Sequence, residues 1–459
     1  MQRKYFGTDG IRGRTGIAPI NAEFALKLGW AVGQVLGQKT RSKVLIGKDT
    51  RLSGYLLSSA LEAGFISAGL DVVLLGPMPT PAVAYLTREL EAEVGVVVSA
   101  SHNPYYDNGI KFFGKGGRKL PDAIESEIES LLSNIVTTVE PHQLGRASMM
   151  PDASSQYIEF CKDAFLKPYS LRGMKIVVDC ANGANYHIGP LVLTELGATV
   201  ITLHAEPDGF NINAECGSTH PSSLQKAVLE NQADIGIAFD GDGDRVILVD
   251  HVGELVDGDE LLFIIAKGYH DQGLLNGGVV GTQMSNLGLE NAFKMLSIPF
   301  MRTKVGDRYV MDALLQTGWQ LGGEGSGHII CLDKTSTGDG IISALQVLGQ
   351  VCHFQRSLHD LKKGMNKCFQ ILLNVTATNG INLVQDDRIQ NAVLEAEKDL
   401  QTQGRILLRP SGTEPCVRVM VEGEDQALIS QVAQKIATVV SDVAQNLQML
   451  GNSVNMPRL

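Results

Sequence analysis

The chain repeats one pattern along most of its length: an apolar run as long as a β-strand, a glycine-rich or polar loop, and then a stretch with helical spacing. This alternation is typical of α/β units, whose strands form a sheet that helices cover. It occurs in three successive parts of the chain, with loop-bearing strands predicted at 43–47, 94–98, 175–179, 235–239, 278–281 and 319–321. The sequence therefore predicts three similar α/β domains of mixed sheet with flanking helices.

The last part of the chain has a different pattern. After a short apolar run at 405–408, Val417, Val419 and Val421 alternate with other residues, which is the period of a strand, and helical spacing follows from Asp425. This indicates a smaller α+β C-terminal domain. A chain of 459 residues is long enough for several domains of about 100–200 residues. The expected domains, arranged around a central cleft, are 1–155, 156–253, 254–366 and 367–459.

Composition and charge argue against several classes of protein. No apolar run approaches the ~18 residues of a membrane span, and a net charge of −11 disfavours nonspecific nucleic-acid binding. The first residues lack the pattern of a secretory signal, so we expect a cytoplasmic protein. The seven cysteines are widely spaced and odd in number, which predicts reduced thiols. A small anionic ligand remains compatible with local clusters of cations.

Three aspartates, Asp240, Asp242 and Asp244, alternate with glycines directly after the predicted strand 235–239, and Arg245 follows them. Carboxylates this close raise one another's pKa unless an opposite charge lies among them. A hard divalent cation supplies that charge and prefers oxygen ligands. The sequence therefore predicts a divalent metal site at the end of this strand.

Three other interpretations of the aspartates compete with the divalent metal site. A solvated turn would also use Asp and Gly. An EF-hand loop needs Gly at its sixth position and Glu at its twelfth, where this chain has Arg245 and His251. The segment also resembles the haloacid dehalogenase phosphatase motif, in which Asp240 would be the nucleophile, although Asp244 stands where that motif has Thr or Val. The phosphatase alternative stays open.

Ser101 is a second candidate nucleophile. It follows the predicted strand 94–98, precedes His102, and lies ten residues before Lys111. A serine here also serves as a cap of a turn or helix, and the absence of a Gly-x-Ser-x-Gly elbow argues against acyl transfer. The segment 109–116 comes close to a nucleotide-binding P-loop but ends in Gly rather than Ser or Thr, so we exclude nucleotide binding through it.

Two further loops offer groups that bind anions and hydroxyls. Arg409 and Arg418 flank Ser411, Gly412 and Thr413, a combination suited to phosphate, with an ordinary β-turn as the alternative. A glycine-rich loop supplies side chains of the kind that bind sugar hydroxyls: Glu324, Ser326 and His328.

Together these loops resemble the α-D-phosphohexomutase superfamily, and within it the bacterial phosphoglucosamine mutase branch. The similarity covers nearly the whole chain and is carried by six segments in order: 3–13, the Ser101 loop, 240–245, 305–309, the Glu324 loop and 409–415. It implies interconversion of glucosamine 6-phosphate and glucosamine 1-phosphate through a phosphoserine and a bisphosphorylated sugar. That reaction would feed the synthesis of amino-sugar nucleotides and cell-wall precursors.

The resemblance also implies roles for individual residues. Ser101 would carry the phosphoryl group and, with Asp240, Asp242 and Asp244, hold Mg²⁺, while Arg245 would act at the same centre. Other roles follow the family motifs: proton transfer by Lys111, His328 and Arg12, sugar binding by Glu324 and Ser326, and grip on the unreacting phosphate by Arg409, Ser411, Gly412, Thr413 and Arg418. The chain departs from its relatives at Gly325, where they usually have Gln or Met.

The expected partners are a sugar phosphate and, to load Ser101 for the first time, a kinase or a sugar bisphosphate. No nucleic acid or membrane is expected, and the oligomeric state is monomer or homodimer. Three alternative functions remain: a phosphomannomutase or phosphoglucomutase of the same superfamily, an aspartyl-nucleophile phosphatase, and a non-enzymatic sugar-phosphate binding protein.

Overall fold

The computed structural model describes residues 4–37, 42–376, 383–401, 403–410 and 416–454. Its strands form four sheets, of six, five, four and three strands, in that order along the chain. The described residues divide into two compact units. One contains those of Met1–Met284 and Ser297–Gly364, and the other contains those of Ser285–Leu296 and Met365–Leu459.

The first sheet has six strands and four accompanying helices: β1 (Ile11–Arg14), α1 (Ala22–Leu36), β2 (Lys43–Lys48), α2 (Ser53–Ser67), β3 (Asp71–Pro77), α3 (Thr80–Glu89), β4 (Val94–Val98), β5 (Asp107–Gly114), α4 (Asp122–Leu131) and β6 (Ala147–Met149). The strand order is β1-β5-β4-β2-β3-β6. The sheet is mixed because β5 runs antiparallel to both neighbours, whereas β4, β2, β3 and β6 pair in parallel. Every residue of β4 is buried, which explains its nearly continuous valine run.

The second sheet has five strands, which three helices accompany: α5 (Ala153–Asp163), β7 (Lys175–Asp179), α6 (Ile188–Glu195), β8 (Thr199–Leu203), α7 (Ser222–Asn231), β9 (Ile235–Phe239), β10 (Val246–Asp250) and β11 (Leu255–Val256). Its order is β11-β10-β9-β7-β8, and β7 pairs in parallel with both β8 and β9. The carboxyl ends of β7, β8 and β9 therefore meet at one edge of the sheet.

The third sheet has four strands in the order β13-β12-β14-β15. Its part of the chain contains α8 (Gly258–Asp271), β12 (Val279–Thr282), α9 (Leu287–Met295), β13 (Phe300–Thr303), α10 (Asp307–Thr317), β14 (Leu321–Gly323), β15 (Ile329–Cys331), α11 (Gly340–Phe354) and α12 (Leu358–Leu361). Helix α9 belongs to the second unit, where the Leu287 backbone N–H donates to Glu422 Oε1 at 2.8 Å.

The fourth sheet is antiparallel and lies in the second unit, with β16 (Phe369–Thr376), α13 (Asp387–Leu400), β17 (Gly404–Pro410), β18 (Cys416–Gly423) and α14 (Gln426–Val454). Strand β18 is central. The predicted alternation is confirmed, because Val417, Val419 and Val421 are buried in one apolar cluster with Ile429 and Ile436 of α14.

The predicted fold class is confirmed: three mixed α/β sheets with helices precede a smaller antiparallel α+β part. The strand predicted at 319–321 lies two residues later, at Leu321–Gly323, because Gly322 and Gly323 pair with β15 although glycine disfavours strands. All seven cysteines are free thiols. Among the described residues, no helix is long and apolar enough to span a bilayer.

A buried carboxylate joins the end of β10 to the region of α12. The Asp250 side chain is fully buried, accepts the backbone N–H groups of Val252 at 3.1 Å and Glu254 at 2.9 Å, and lies 2.8 Å from Lys362 Nζ. Burial by itself raises the pKa of Asp250, but the hydrogen bonds from Lys362 and the Glu254 backbone outweigh it and hold that pKa below its usual value. Asp250 is therefore an anion that stabilises this corner of the fold.

The stability that Asp250 contributes should depend on pH. Because its folded-state pKa lies below the unfolded value, the contribution is present above about pH 4 and is lost as the pH falls through the folded pKa. We expect Asp250→Asn to lower the free energy of unfolding by about 1–3 kcal/mol near neutral pH, with a smaller deficit in acid. Urea unfolding across this pH range measures both quantities.

The matched control is Glu230→Gln, which removes an exposed pair with Lys226 and should change the free energy of unfolding by less than about 0.5 kcal/mol. A deficit for Asp250→Asn that stayed constant down to acid pH would contradict the assignment.

Candidate active site

Ser101 is buried in a strained turn just beyond the end of β4. Its φ of 52° lies in the left-handed region, which residues other than Gly and Asn rarely adopt. The hydroxyl donates to Asp240 Oδ2 at 2.6 Å. Such strain persists only where the surroundings over-determine the backbone, and it is common at functional sites. The structure therefore brings the predicted nucleophile into contact with the predicted metal site.

Both backbone polar atoms of Ser101 are held by side chains. Its N–H donates to Ser99 Oγ at 3.0 Å, and the Ser99 hydroxyl in turn donates to Asp49. Its carbonyl oxygen accepts from Arg51 Nη2 at 2.9 Å and from Asn213 Nδ2 at 2.8 Å. Ser101 is thus fixed from both sides by groups of the first and second sheets.

Arg51 is the centre of this support. Its side chain is completely buried, and Nε donates to Asp49 Oδ2 at 2.8 Å. The rest of the guanidinium binds three carbonyl oxygens of one loop, those of Ser101, Asn103 and Pro104, at 2.7–3.0 Å. A planar fork with five donors suits this task, which a lysine cannot reproduce. Arg51 therefore determines the shape of the Ser101 loop.

The three aspartates lie on a turn that begins where β9 ends. All three are buried, and one oxygen from each lies within 4.8 Å of the others. Thr80, at the start of α3, fixes Asp242 twice, because its hydroxyl donates to Oδ2 at 2.5 Å and its N–H donates to the Asp242 carbonyl at 2.8 Å. The predicted cluster is therefore assembled, and the first sheet helps to position it.

Two glycines between the aspartates have different structural reasons. A Cβ at Gly241 would lie 2.5 Å from the carbonyl oxygen of Ser101, so only glycine allows the two loops to approach. Gly243 has a φ of 73°, and a Cβ there would lie 2.4 Å from Asn185 Nδ2. Gly241 is thus required by the close approach of the Ser101 loop, and Gly243 by its left-handed backbone beside Asn185.

The aspartates retain oxygens that a hard cation can use. Within the described part of the chain, Asp242 Oδ1 and Asp244 Oδ1 are buried without a hydrogen-bond partner, while Asp240 Oδ2 accepts only the Ser101 hydroxyl. Burial and then the charges of the two neighbouring aspartates raise the pKa of Asp240 well above its usual value. Three buried carboxylates that each keep an oxygen available fit a divalent cation of the magnesium type.

Lys111 reaches the same carboxylates from β5. Its buried ammonium lies 2.8 Å from Asp242 Oδ2, 3.3 Å from Asp244 Oδ2 and 3.1 Å from Asp9 Oδ2. Burial alone would lower the pKa of Lys111, but the carboxylates, led by Asp242, raise it well above its usual value. The carboxylates therefore favour the cationic form of Lys111, which lies on β5.

Beyond Lys111, further ion pairs continue through the site. Asp9 accepts from Lys119 Nζ at 2.6 Å and pairs with Arg12, and Lys119 also lies 2.5 Å from Asp307 Oδ2. Although burial disfavours its charge, the surrounding cations hold the pKa of Asp9 well below its usual value. No role was predicted from the sequence for Asp9, Lys119 or Asp307, although Asp9 and Asp307 lie inside the segments that resemble the family.

His328 is buried between two carboxylates. Nδ1 lies 3.7 Å from Asp244 Oδ2, and Nε2 lies 3.8 Å from Asp307 Oδ2. Burial opposes protonation, but the nearby Asp244 and the other carboxylates raise the pKa of His328 to about 9. A Cβ at Gly338 would lie 2.2 Å from Nε2, so glycine leaves the space for this ring. His328 is therefore a protonated donor at neutral pH.

The predicted sugar-binding loop joins β14 to β15. Glu324 is half-buried, and its Oε1 accepts the backbone N–H of Gly306 at 3.0 Å, while Ser326 is exposed. The Gly327 carbonyl accepts the N–H of Val246 at 3.1 Å, which ties the loop to the start of β10. A Cβ at Gly325 would lie only 3.1 Å from an Asp259 carboxylate oxygen. The loop that carries Glu324 and Ser326 is thus beside the aspartate turn.

Arg245 lies between the aspartate turn and the Ser101 loop. Its Nε is 3.8 Å from Asp244 Oδ1, and its Nη1 is 3.3 Å from His102 Nδ1. Burial, Arg245 and Arg12 lower the pKa of His102 to about 4, so this imidazole is neutral. Because guanidinium only donates, His102 Nδ1 is the acceptor. Arg245 is thus the cation nearest to the residue that follows Ser101.

The two arginines of the predicted phosphate loop lie in the second unit. Arg409 and Arg418 face each other as partners of β17 and β18. Burial and then the Arg418 charge lower the pKa of Arg409. Ser411, Gly412 and Thr413 lie outside the described residues.

The chain matches known protein families over most of its length. Four family models, all described as phosphoglucomutase/phosphomannomutase, match the chain in order: α/β/α domain I at residues 3–138, domain II at 155–253, domain III at 257–368 and the C-terminal domain at 372–439. The fold is thus that of the phosphohexomutase class of enzymes.

Curated relatives extend this match over nearly the full length. The chain is 58 % identical to the phosphoglucosamine mutase of Erwinia tasmaniensis, covering 96 % of this chain and 100 % of that one. It is 56 % identical to the phosphoglucosamine mutase of Aeromonas hydrophila, covering 96 % and 99 %. The chain belongs to the phosphoglucomutase/phosphomannomutase family.

Solved structures share the fold at low identity. A phosphoglucomutase/phosphomannomutase family protein from Burkholderia thailandensis superposes with a TM-score of 0.79 at 24 % identity, covering 95 % of this chain and 97 % of that one. The N-acetylphosphoglucosamine mutase of Aspergillus fumigatus, in complex with GlcNAc-6P and magnesium, gives 0.67 at 17 % identity and covers 96 % of both chains.

The support around Ser101 generates a prediction about catalysis. We expect Arg51→Lys to lower kcat by about 10–100-fold, because a displacement of about 1 Å at the reacting group has a cost of this size. KM for the sugar phosphate should change by less than about threefold, since Arg51 acts on the loop rather than on the substrate. Steady-state kinetics separate the two parameters.

The control for Arg51→Lys is Arg172→Lys, an exposed position, and circular dichroism verifies that both variants fold. An increase in KM with an unchanged kcat would show that Arg51 does not position the serine.

Proposed function

We propose that this chain interconverts glucosamine 6-phosphate and glucosamine 1-phosphate, with Ser101 as the residue that carries the phosphoryl group. The contact between the Ser101 hydroxyl and Asp240, inside a cluster of carboxylates and fixed cations, is the observation that carries the proposal. The names of relatives at 56–58 % identity support glucosamine as the sugar. The product would serve amino-sugar nucleotide and cell-wall precursor synthesis in the cytoplasm.

The reaction consists of two phosphoryl transfers. In the first, the P–O bond of phosphorylated Ser101 breaks while a P–O bond forms to the free sugar hydroxyl, whose proton passes to a base. The bisphosphorylated sugar then turns over within the site. In the second transfer its other phosphate returns to Ser101, and the sugar oxygen takes up a proton. The net result is isomerisation with the enzyme regenerated.

Mg²⁺ is the cation that we assign to the aspartate turn. Asp240, Asp242 and Asp244 would hold it with an oxygen of the Ser101 phosphate, since all these donors are hard oxygens. When bound, Mg²⁺ neutralises charge on the phosphoryl oxygens during transfer. A phosphate of charge about −1.5 to −2 among three carboxylates needs such a cation.

The fixed cations of the chain have separate tasks in this proposal. Lys111 holds its proton too firmly for a proton shuttle, so it stabilises charge on the transferred group together with Arg245. His328, with a pKa of about 9, is the better proton donor to the departing sugar oxygen. Arg12 also retains its proton. Burial opposes its charge, but the nearby carboxylates, led by Asp9, raise its pKa.

Substrate binding divides between two groups of residues. Glu324 and Ser326 bind sugar hydroxyls beside the metal turn. The phosphate that is not reacting is bound by the phosphate loop of the C-terminal domain: Arg409, Ser411, Gly412, Thr413 and Arg418. A kinase or a sugar bisphosphate phosphorylates Ser101 for the first time.

We also propose four domains, with boundaries near residues 155, 253 and 366.

The aspartyl phosphatase alternative is weaker for a geometric reason. Asp240 Oδ1 accepts the N–H groups of Gly243 at 3.1 Å and Arg245 at 3.2 Å, and Oδ2 accepts the Ser101 hydroxyl. A carboxylate engaged at both oxygens is suited to ligation rather than to attack on phosphorus.

The role of Ser101 is tested by Ser101→Ala. We expect mutase activity to fall by more than about 10³-fold, because the covalent step is removed. Mass spectrometry should find phosphate on Ser101 in the wild type, stable to hydroxylamine, which would cleave an acyl phosphate on Asp240. Ser133→Ala, at an exposed position of the same sheet region, is the control and should keep full activity. Normal turnover by Ser101→Ala would refute the mechanism.

Sugar identity is tested by comparing glucosamine, glucose and mannose 6-phosphates on the phosphorylated enzyme. We expect the highest kcat/KM for glucosamine 6-phosphate, by at least about tenfold, since one polar group read by a matched site is worth about 1.4 kcal/mol or more. Chelation should abolish turnover of the preferred substrate and Mg²⁺ should restore it. A preference for mannose or glucose would assign the chain to the alternative mutases, and release of free phosphate alone would indicate a phosphatase.

A further inference from the structure

A second cluster of metal-ligating side chains lies beyond the aspartate turn. Asp179 ends β7, His204 follows β8, and Cys216 lies in the loop that continues from it. Because β7 and β8 pair in parallel, their carboxyl ends lie side by side. One donor atom from each of the three residues lies within 4.8 Å of the others. The cluster combines a carboxylate oxygen, an imidazole nitrogen and a thiol sulfur.

The geometry around Asp179 leaves room for another ligand. His204 Nδ1 lies 3.1 Å from Asp179 Oδ1. The same oxygen accepts the N–H of Ala181 at 2.9 Å, and Oδ2 accepts the N–H of Gly217 at 2.9 Å. A carboxylate offers about four lone-pair positions, so a cation can still bind it while the two N–H groups stay in place.

We propose that Asp179, His204 and Cys216 form a binding site for one divalent cation of the zinc type, distinct from the Mg²⁺ site. Nitrogen and sulfur donors select zinc-like ions, whereas magnesium prefers oxygen alone. On binding, the cysteine loses its proton to solvent, and the resulting thiolate and carboxylate balance the charge of the cation. Water completes a four-coordinate shell.

The distances require only a small adjustment. Ligand atoms around a tetrahedral zinc ion lie about 3.3–3.8 Å apart for bonds of about 2.0–2.3 Å. Donors that already lie within 4.8 Å of one another therefore need to move by about 1 Å or less. Asp179 is fully buried, but the His204 side chain is 31 % exposed, which provides the route from solvent.

The proposed ion would stabilise the loop that supports Ser101. Asn213, three residues before Cys216, donates its backbone N–H to the Ala181 carbonyl at 2.9 Å and its side chain to the Ser101 carbonyl at 2.8 Å. A ligand that joins Cys216 to the ends of β7 and β8 therefore restrains the segment that holds the serine loop from the second sheet.

A second mixed cluster differs from the Asp179 cluster because a lysine already occupies it. Asp250, Glu254 and His359 also place donor atoms within 4.8 Å. There Lys362 Nζ already lies 2.8 Å from Asp250 and 2.7 Å from Glu254, so the protein supplies its own cation. No Lys or Arg side chain is recorded against Asp179 in the described ranges, where its only charged neighbour is His204.

The experiment uses Co²⁺ as a spectroscopic substitute on the full-length enzyme after removal of metals, with excess Mg²⁺ to fill the aspartate site. A thiolate bound to Co²⁺ gives a near-ultraviolet charge-transfer band that carboxylates do not give. We expect this band to saturate at one equivalent of Co²⁺, to disappear when Zn²⁺ is added, and to be absent in Cys216→Ser. Its absence in the wild type would overturn the proposal.

Two control variants and one rescue variant complete the test. Cys352→Ser, a half-buried thiol elsewhere in the fold, and Asp242→Asn should both keep the band. If Cys216→Ser fails to fold by circular dichroism, His204→Gln decides, because its partly exposed position tolerates substitution. We expect His204→Gln to weaken Co²⁺ binding more than about tenfold, since even outer-sphere partners are worth about 10–100-fold. Unchanged binding by His204→Gln, or a band that persists in folded Cys216→Ser, would refute the site.

Discussion

Asp240, Asp242 and Asp244 bury three carboxylates within five residues of chain, and charge of this density is tolerable only with cations among it. Buried or half-buried cations balance this charge, chiefly Lys111 of β5 and Arg245 at the end of the same turn. The network continues through Asp9 and further ion pairs into the third sheet. The charge of this one turn therefore determines which side chains the neighbouring sheets must present.

The position of Ser101 depends on a different kind of support. Its left-handed backbone is held at the N–H by Ser99 and at the carbonyl by Arg51 and Asn213. These bonds leave the hydroxyl as the group directed to Asp240. Ion pairs thus hold the aspartates and their cations together, while neutral and charge-assisted hydrogen bonds to the backbone orient Ser101. Pre-organisation of this kind reduces the reorganisation that phosphoryl transfer requires.

Local patterns predicted the elements and the donor types well. The buried strands β4 and β9 are continuous apolar runs, so their ends, and with them Ser101 and the aspartates, could be located from the sequence. The residues that position Ser101 and the aspartates could not be located from the sequence. Thr80 lies 162 residues from Asp242 and Asn213 lies 112 residues from Ser101, and nothing in either local sequence marks the contact.

The sequence by itself determined the α/β class, the order of the chemically active loops and the hard-oxygen character of the metal turn, because these follow from periodicity and from residue type. Tertiary structure decided which charges are permanent. The family resemblance made Lys111 a candidate for proton transfer, whereas the carboxylates around it raise its pKa and favour the cation. Likewise, Asp179, His204 and Cys216 are unremarkable until parallel strands bring them together. A pKa and a ligand set are properties of surroundings, and only the fold supplies those.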